Sequence, residues 1–326
     1  MLRKGLWALV TVLVVITFNF VLFRVLPGDP AKSGMRDPRL NPEAVAALEA
    51  RFGLDQPVFL NPDSVGDTQF FAYWRELARG NLGTSYEFRN QSVASVVSRA
   101  LANTLWLLAG AQILAIVLGM GLGLLAAWRR QTRIDVGALL FALLMWSLPT
   151  FFLGILLLFI GSSWFGLPTG GRFTVGATYA TWGEYLADLG RHLLLPSLTF
   201  TLALLAQYML IMRSTVIEVF SEDYILTAKA KGLSTWAIIT RHALRNAMLP
   251  MATLIALNLG FTVSGAIEVE TVFSLPGIGL LTVNAVNSRD YPVLQGAFLL
   301  LAVSVVLANL AADLVYGWLD PRVGET

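Results

Sequence analysis

Few residues in this chain have the types and spacing that chemistry requires. The two histidines, His192 and His242, stand far apart and without clustered carboxylates, so neither reads as half of a metal site or of a catalytic pair. There is no Cys, which removes disulfides, thiolate nucleophiles and Cys-ligated metals together. No Gly-x-x-x-x-Gly-Lys-Ser/Thr run is present to cradle nucleotide phosphates, and no His-Glu-x-x-His to hold a catalytic zinc. What remains is a thin set of polar residues in or near apolar stretches: Glu268, Glu270, Asp313, and the amides Asn103, Gln112, Gln207, Asn258, Asn284 and Asn309. Ionisable groups at membrane depth are costly and usually face a bundle interior or a water-filled path. Glu268, Glu270 and Asn258 are therefore candidate pathway or gate residues. The plainer alternative has the two glutamates capping a helix in the interfacial layer and the amides bonding neighbouring helices. Asp313 reads better as the partner of a nearby basic group or backbone amide.

The elements that must position these residues are apolar. The chain has 326 residues, 56% hydrophobic and 13% charged, where a soluble domain carries about a quarter charged, so composition alone argues for an all-α membrane protein. A net charge of +2, with basic residues scattered between apolar runs, gives no footprint for nucleic acid; lipid headgroups or a partner protein are the expected counter-charge. Six runs are long enough to cross a bilayer: Leu6 to Leu26, Leu101 to Trp128, Ile134 to Gly161, Leu193 to Met212, Met251 to Val272 and Val293 to Trp318. Arg24-Val25-Leu26-Pro27 is not a small-x-small cleavage site, so the first run is expected to stay as a span. Pro149 predicts a kink rather than a break in the third run. This divides the chain into a first span (1–26), an extramembrane insert (27–100) and a five-helix core (101–326). In the insert, helices are expected from Asn41-Pro42-Glu43 to Phe52 and from Phe70 to Ala78, the latter with Phe71, Trp74 and Leu77 on its apolar side, and a turn-rich stretch runs from Asn61 to Asp67.

The stretch from Arg213 to Pro250 is the long polar interruption that is also strongly basic. Ser221-Glu222-Asp223-Tyr224 should open a short helix over Ile225 to Lys231, with Ser as cap and acids at its N-terminus. Gly232 should end it in the left-handed conformation, and Ser234 should cap a second helix from Thr235 to Met248, closed by Leu249-Pro250. Trp236, Ile239, Ala243 and Ala247 recur on one face of that helix, and Arg241 and Arg245 lie on another. A bent, two-faced helix pair between spans suits docking to a soluble partner; a loop merely held at the headgroups by its charge is the alternative. Arg3, Lys4, Arg129, Arg130, Arg133, Arg213, Lys229, Lys231, Arg241, Arg245 and Arg322 fall on one side of the six spans, against Arg172, Arg191 and Arg289 on the other. Both termini and the basic loop are therefore expected to be cytoplasmic.

The run from Asp223 to Leu233, followed by Arg241-His242-Ala243-Leu244-Arg245-Asn246-Ala247-Met248-Leu249-Pro250, resembles the coupling loop of ABC importer permeases, and more narrowly that of the peptide/nickel permease family. The Glu-Ala-Ala of the general pattern is replaced by Leu226, Thr227 and Ala228, so a salt bridge made through that Glu does not carry over. Further matches are Leu26-Pro27-Gly28-Asp29-Pro30, Phe52-Gly53-Leu54-Asp55-Gln56-Pro57, Gly80-Asn81-Leu82-Gly83-Thr84-Ser85, Gly265 to Phe273, Leu275-Pro276-Gly277-Ile278-Gly279, Arg289 to Gly296, and Asn309 to Tyr316 with Asp320-Pro321-Arg322.

The resemblance covers nearly the whole chain. It implies the type I importer fold, with the insert extracytoplasmic, in the cytoplasmic (inner) membrane of a bacterium. The partners it implies are a second homologous permease, two ATPase subunits or domains that carry ATP and Mg, and an extracytoplasmic substrate-binding protein; no cofactor is expected on this chain. It places the ATPase contact on Asp223, Tyr224, Thr227, Ala228, Lys229, Ala230, Lys231, Gly232, Leu233, Arg241 and Arg245, and implies di- or oligopeptide cargo, with nickel chelates or another small solute as the alternative. A secondary transporter would need paired broken helices in two halves and coupling-ion sites, and a membrane-embedded enzyme a catalytic cluster; neither pattern is seen.

Overall fold

The structure is a computed structural model. It describes the backbone of residues 2–25, 56–59, 61, 66–88 and 91–319, and within these the side chains of residues 2–4, 24, 25, 242, 249, 256, 259–265 and 311–319 fall outside the description. The helix expected over Asn41 to Phe52, most of the Asn61 to Asp67 turn, and the side chains of His242 and Asp313 therefore lie outside the described residues.

The described residues are mostly helical, as the apolar runs require: α1 Leu2–Val25, α2 Gln69–Ala78, α3 Val93–Trp128, α4 Arg133–Ser147, α5 Thr150–Phe165, α6 Trp182–Val219, α7 Asp223–Ala230, α8 Thr235–Ile238, α9 Leu244–Val272, α10 Ile278–Ser288 and α11 Tyr291–Leu319. Among them the one extended pairing is an isolated bridge between Thr84 and Ser92. By length and composition four of these helices can cross a membrane (α1, α3, α6 and α11), and a fifth span is formed if α4 and α5 are counted together. The run read as the fifth span of the sequence lies on α9, which is 29 residues long.

Three boundaries differ from those expected. α4 and α5 meet at 107°, a break and not a kink. The cause is local: proline disfavours helical geometry in the residue before it, and Leu148 is extended (φ −83°, ψ 127°). α3 and α6 start and end outside their apolar runs, at Val93 and Val219, because Val93, Val97, Val216 and Val219 are buried and extend the packed faces. The chain also passes through Pro250 without ending the helix. Ala243, Ala247 and Met251 form a buried stripe there, and that packing outweighs one missing backbone hydrogen bond.

The chain divides into two compact units. One comprises Met1–Asn103 with Gly277–Val306. In it Phe20 of α1 is fully buried among the rings of Phe59, Phe70 and Tyr73, with centroids 5.8, 5.3 and 5.3 Å away. The packing face of α2 thus carries Phe70 and Tyr73, whereas Phe71, expected on the apolar side, is exposed. Thr68 caps α2 through its hydroxyl, and Asn19 Nδ2 donates to the Gln295 carbonyl at 2.9 Å. Buried Asp290 binds the segment before α3: one carboxylate oxygen accepts from the Ser85 hydroxyl and, at 3.1 Å each, from the backbone N–H groups of Tyr86 and Glu87.

The other unit comprises Thr104–Pro276 with Leu307–Thr326. Its core lies where α3 crosses α6 at two glycines. A Cβ on Gly119 would stand 2.8 Å from the Leu205 carbonyl oxygen, and one on Gly123 would stand 2.5 Å from that of Met209. Close approach of two spans through small residues is how helices associate in lipid. Gly123→Val should therefore sharply reduce folded protein in the membrane and lower its melting temperature, whereas Gly121→Ala, whose added carbon meets nothing within 4 Å, should leave both near wild type.

Candidate functional site

The basic loop is built by backbone rules that the sequence states openly. α7 ends in a Schellman arrangement: Gly232 has φ +76°, its N–H donates to the Lys229 carbonyl at 2.9 Å, and the Leu233 N–H reaches back to the Ala228 carbonyl at 3.3 Å. Ser234 then caps α8, its hydroxyl accepting from the Ala237 N–H. At the other end the expected Ser221 cap is not formed. Glu222 occupies the cap position without a side-chain bond, and the Ser221 hydroxyl instead donates to the Glu218 carbonyl at 2.5 Å. The loop also begins later than expected, because α6 continues past Arg213 to Val219.

α8 passes into α9 through one π-turn, Ile239–Ala243. The extra residue in that turn rotates the face: Ile238, Ile239, Ala243 and Ala247 are buried, and Trp236, expected with them, is 51% exposed and leans on Trp128 at 5.3 Å. Within the contact set inferred from the resemblance, Ala228 is buried and Leu233 half-buried against the core, so these two hold the elbow in place. Asp223, Tyr224, Thr227, Lys229, Ala230, Lys231, Gly232, Arg241 and Arg245 are exposed, as is Leu226 at 60%. Asn246 Nδ2 donates to the Tyr224 hydroxyl at 2.5 Å, tying α7 to the first turn of α9.

The residues singled out inside the spans separate. Glu268 is exposed, while Glu270 is fully buried and accepts a hydrogen bond from the Thr104 hydroxyl. Two residues along a helix is about 200° of rotation, so the pair cannot share one lining. Asn258 Nδ2 donates to Gln207 Oε1 and to the Tyr208 hydroxyl, both at 3.1 Å, and Gln112 donates to the same hydroxyl. That network joins α3, α6 and α9 midway along their lengths. His192 is buried, with Nδ1 2.9 Å from the Asp188 carbonyl, so this nitrogen carries the proton and the imidazole is held by its own helix.

Sequence reasoning missed the roles of four residues. Tyr208, fully buried, is the hub of the amide network but looks like one more apolar residue in a long run. Asp135 and Arg213 form a forked pair, with nitrogen–oxygen distances of 2.6 and 2.9 Å, and Asp135 also accepts from the Gln131 N–H. Arg213, assigned to the loop, thus bolts the last turns of α6 to the first turn of α4. The signal was a lone acid among Arg129, Arg130 and Arg133. Asp290 was visible only as part of a motif.

Several long apolar helices joined by a glycine-ended basic elbow define a membrane protein of several spans, and comparison identifies the family. The model for the binding-protein-dependent transport system inner membrane component matches residues 119–325, and that for the N-terminal part of such components matches residues 1–107. The chain belongs to this family and is an ABC transporter permease with several membrane spans. It is 37% identical over 323 residues to the glutathione transport system permease protein GsiC of Salmonella choleraesuis (strain SC-B67), covering 99% of this chain and 97% of that one. It is 34% identical over 325 residues to a protein named "Probable peptide ABC transporter permease protein" of Sinorhizobium fredii (strain NBRC 101917 / NGR234), covering 99% and 98%. Among solved structures, a chain of the MetNI methionine ABC transporter in an inward-facing conformation superposes with a TM-score of 0.57 at 14% identity, covering 69% of this chain and 97% of that one, which gives the type I transmembrane fold.

The Asp135–Arg213 pair yields a stability prediction. Asp135→Asn should destabilise the permease by about 2 kcal/mol, the size of a charge-assisted hydrogen-bonded pair with its partner left partly buried. Thermal unfolding of the purified protein checks this, and the exchanged pair Asp135→Arg with Arg213→Asp should recover part of the loss.

Proposed function

We propose that this chain is one of two membrane-spanning permease subunits of an ATP-driven importer of short peptides, glutathione-like tripeptides among them, delivered by an extracytoplasmic binding protein. The names of its relatives support that cargo: a peptide permease, and a permease for glutathione, itself a short peptide. In this reading there are six spans, with α4 and α5 forming one and α9 another, both termini and the basic elbow are cytoplasmic, and the insert after α1 is extracytoplasmic. ATP and Mg are bound, and ATP hydrolysed, by two partner ATPase subunits.

The observation that carries the reading is the elbow. α7 and α8 are set at a fixed bend by Gly232, their inner side is buried against α6 and α9, and the exposed side of the elbow presents Asp223, Tyr224, Thr227, Lys229 and Lys231, with Arg241 of the π-turn and Arg245 of the first turn of α9. A partner that pulls on that outer side must move the spans. Closure of the ATPases would switch the pathway between its two openings by rigid-body displacement. Along the pathway, Asn258 with Gln207 supplies an amide pair suited to peptide groups, and exposed Glu268 a carboxylate suited to a peptide amine.

Gly232 tests the elbow. A Cβ there meets nothing within 4 Å, so only the backbone conformation opposes a side chain. Gly232→Val should abolish ATP-dependent uptake of labelled peptide by the reconstituted transporter while membrane insertion persists. Gly232→Asn, a residue that enters the left-handed region at lower cost, should retain most of it. Normal coupled uptake by the valine variant would contradict the assignment.

A further inference from the structure

Beside the elbow lies a cleft of about 300 Å³ that shares only Lys229 with the coupling reading, lined by Ala127, Trp128, Arg130, Ile217, Phe220, Ser221, Lys229 and Thr235. Its position is set by the ends of two spans. Trp128 is the last residue of α3, Val219 the last of α6, and the lining residues fall within three positions of these ends or on the elbow itself. Trp128 also ends the apolar run from Leu101, which is long enough to cross a bilayer, so this side of the cleft borders the headgroup layer whichever way the chain faces. Tryptophans mark it as they mark membrane interfaces generally: Trp128 and Trp236, both partly exposed, lean together at 5.3 Å.

The chemistry of the lining divides. Ala127, Ile217 and the Phe220 and Trp128 rings make an apolar side. Arg130, Lys229, Ser221 and Thr235 bring two cations and two hydroxyls to the same cleft, and all four are exposed. Of the two cations, Lys229 stands on an aromatic face, its Nζ 5.6 Å over the Phe220 ring. Among the described residues neither Arg130 nor Lys229 has an ion-pair partner. Asp135, the acid nearest to Arg130 in sequence, is already taken by the fork of Arg213.

We propose that this cleft binds the phosphodiester headgroup of an anionic phospholipid, the phosphate held by Arg130 and Lys229 with Ser221 and Thr235 as hydroxyl donors, and the acyl chains running along Trp128 and Ile217. A basic cleft between helix ends, open to the bilayer, is the setting in which acidic headgroups are held. The occupied cleft braces the elbow against the ends of α3 and α6.

The test measures lipid retained by the purified transporter and needs no ATP turnover, so its outcome is separate from that of the coupling assignment. The complex is reconstituted in nanodiscs of phosphatidylglycerol with phosphatidylcholine, or of phosphatidylcholine alone, extracted, and its bound lipid measured by native mass spectrometry. Wild-type protein should retain phosphatidylglycerol in preference to phosphatidylcholine, and R130Q/K229Q should reduce that retention roughly tenfold or more, with R75Q/R79Q, which removes two charges at the end of α2, as the charge-matched control. The preference of wild-type protein is measured without any variant, so a double variant that fails to assemble leaves the test intact. Equal retention of the two lipids by wild type overturns the proposal. Displacement of phosphatidylglycerol by millimolar inorganic phosphate would assign the cleft to a soluble phosphate and overturn the lipid as its occupant.

Discussion

An unbroken apolar stripe ties the elbow to the spans, and the proposed mechanism depends on it. Ile225 and Ala228 on α7, Ile238 and Ile239 at the π-turn, and Ala243, Ala247 and Met251 on α9 are all buried in one cluster or at its edge, together with Val216, Val219 and Met212 of α6. Exposing a buried isoleucine costs on the order of 2 kcal/mol, and freeing the elbow would expose three. In the proposed mechanism, a partner pressing on its charged side would displace α6 and α9 before it peeled the elbow away, since packed elements move as bodies and do not stretch.

Polar groups do the complementary work of fixing which helix meets which. The Asp135–Arg213 fork joins α4 to α6, the Tyr208 hydroxyl gathers Gln112 and Asn258 from α3 and α9, and Asp290 grips the segment before α3. In an apolar environment each such group is costly unless paired, so the pairings specify register more than they add stability. The two glycines at the α3–α6 crossing let those two backbones approach closely beside the bond from Gln112 to the Tyr208 hydroxyl.

Much of this was legible in the residues. Long apolar runs gave the helices, Gly232 and Ser234 gave the bend and its cap, and ordered motifs along the chain gave the family. What was hidden follows from tertiary context. Pro149 and Pro250 have the same local chemistry, yet one breaks the chain by 107° and the other is absorbed, because Pro250 stands beside the Ala243, Ala247 and Met251 stripe. The π-turn inserts a residue without any sequence mark, so Trp236 was placed on the wrong face. Glu268 and Glu270 read as a pair because they are neighbours in sequence, and helical rotation separates them. Tyr208 could not be told from core by spacing alone.

The natural chain has no Cys, so one introduced thiol reports without background. Leu226→Cys, on the exposed side of α7, should react rapidly with a membrane-impermeant maleimide in the permease alone, from the cytoplasmic face only, and should be strongly protected once the ATPase subunits are bound. Equal labelling with and without those subunits, or labelling from the opposite face, would contradict the account of the elbow as the grip of the motor.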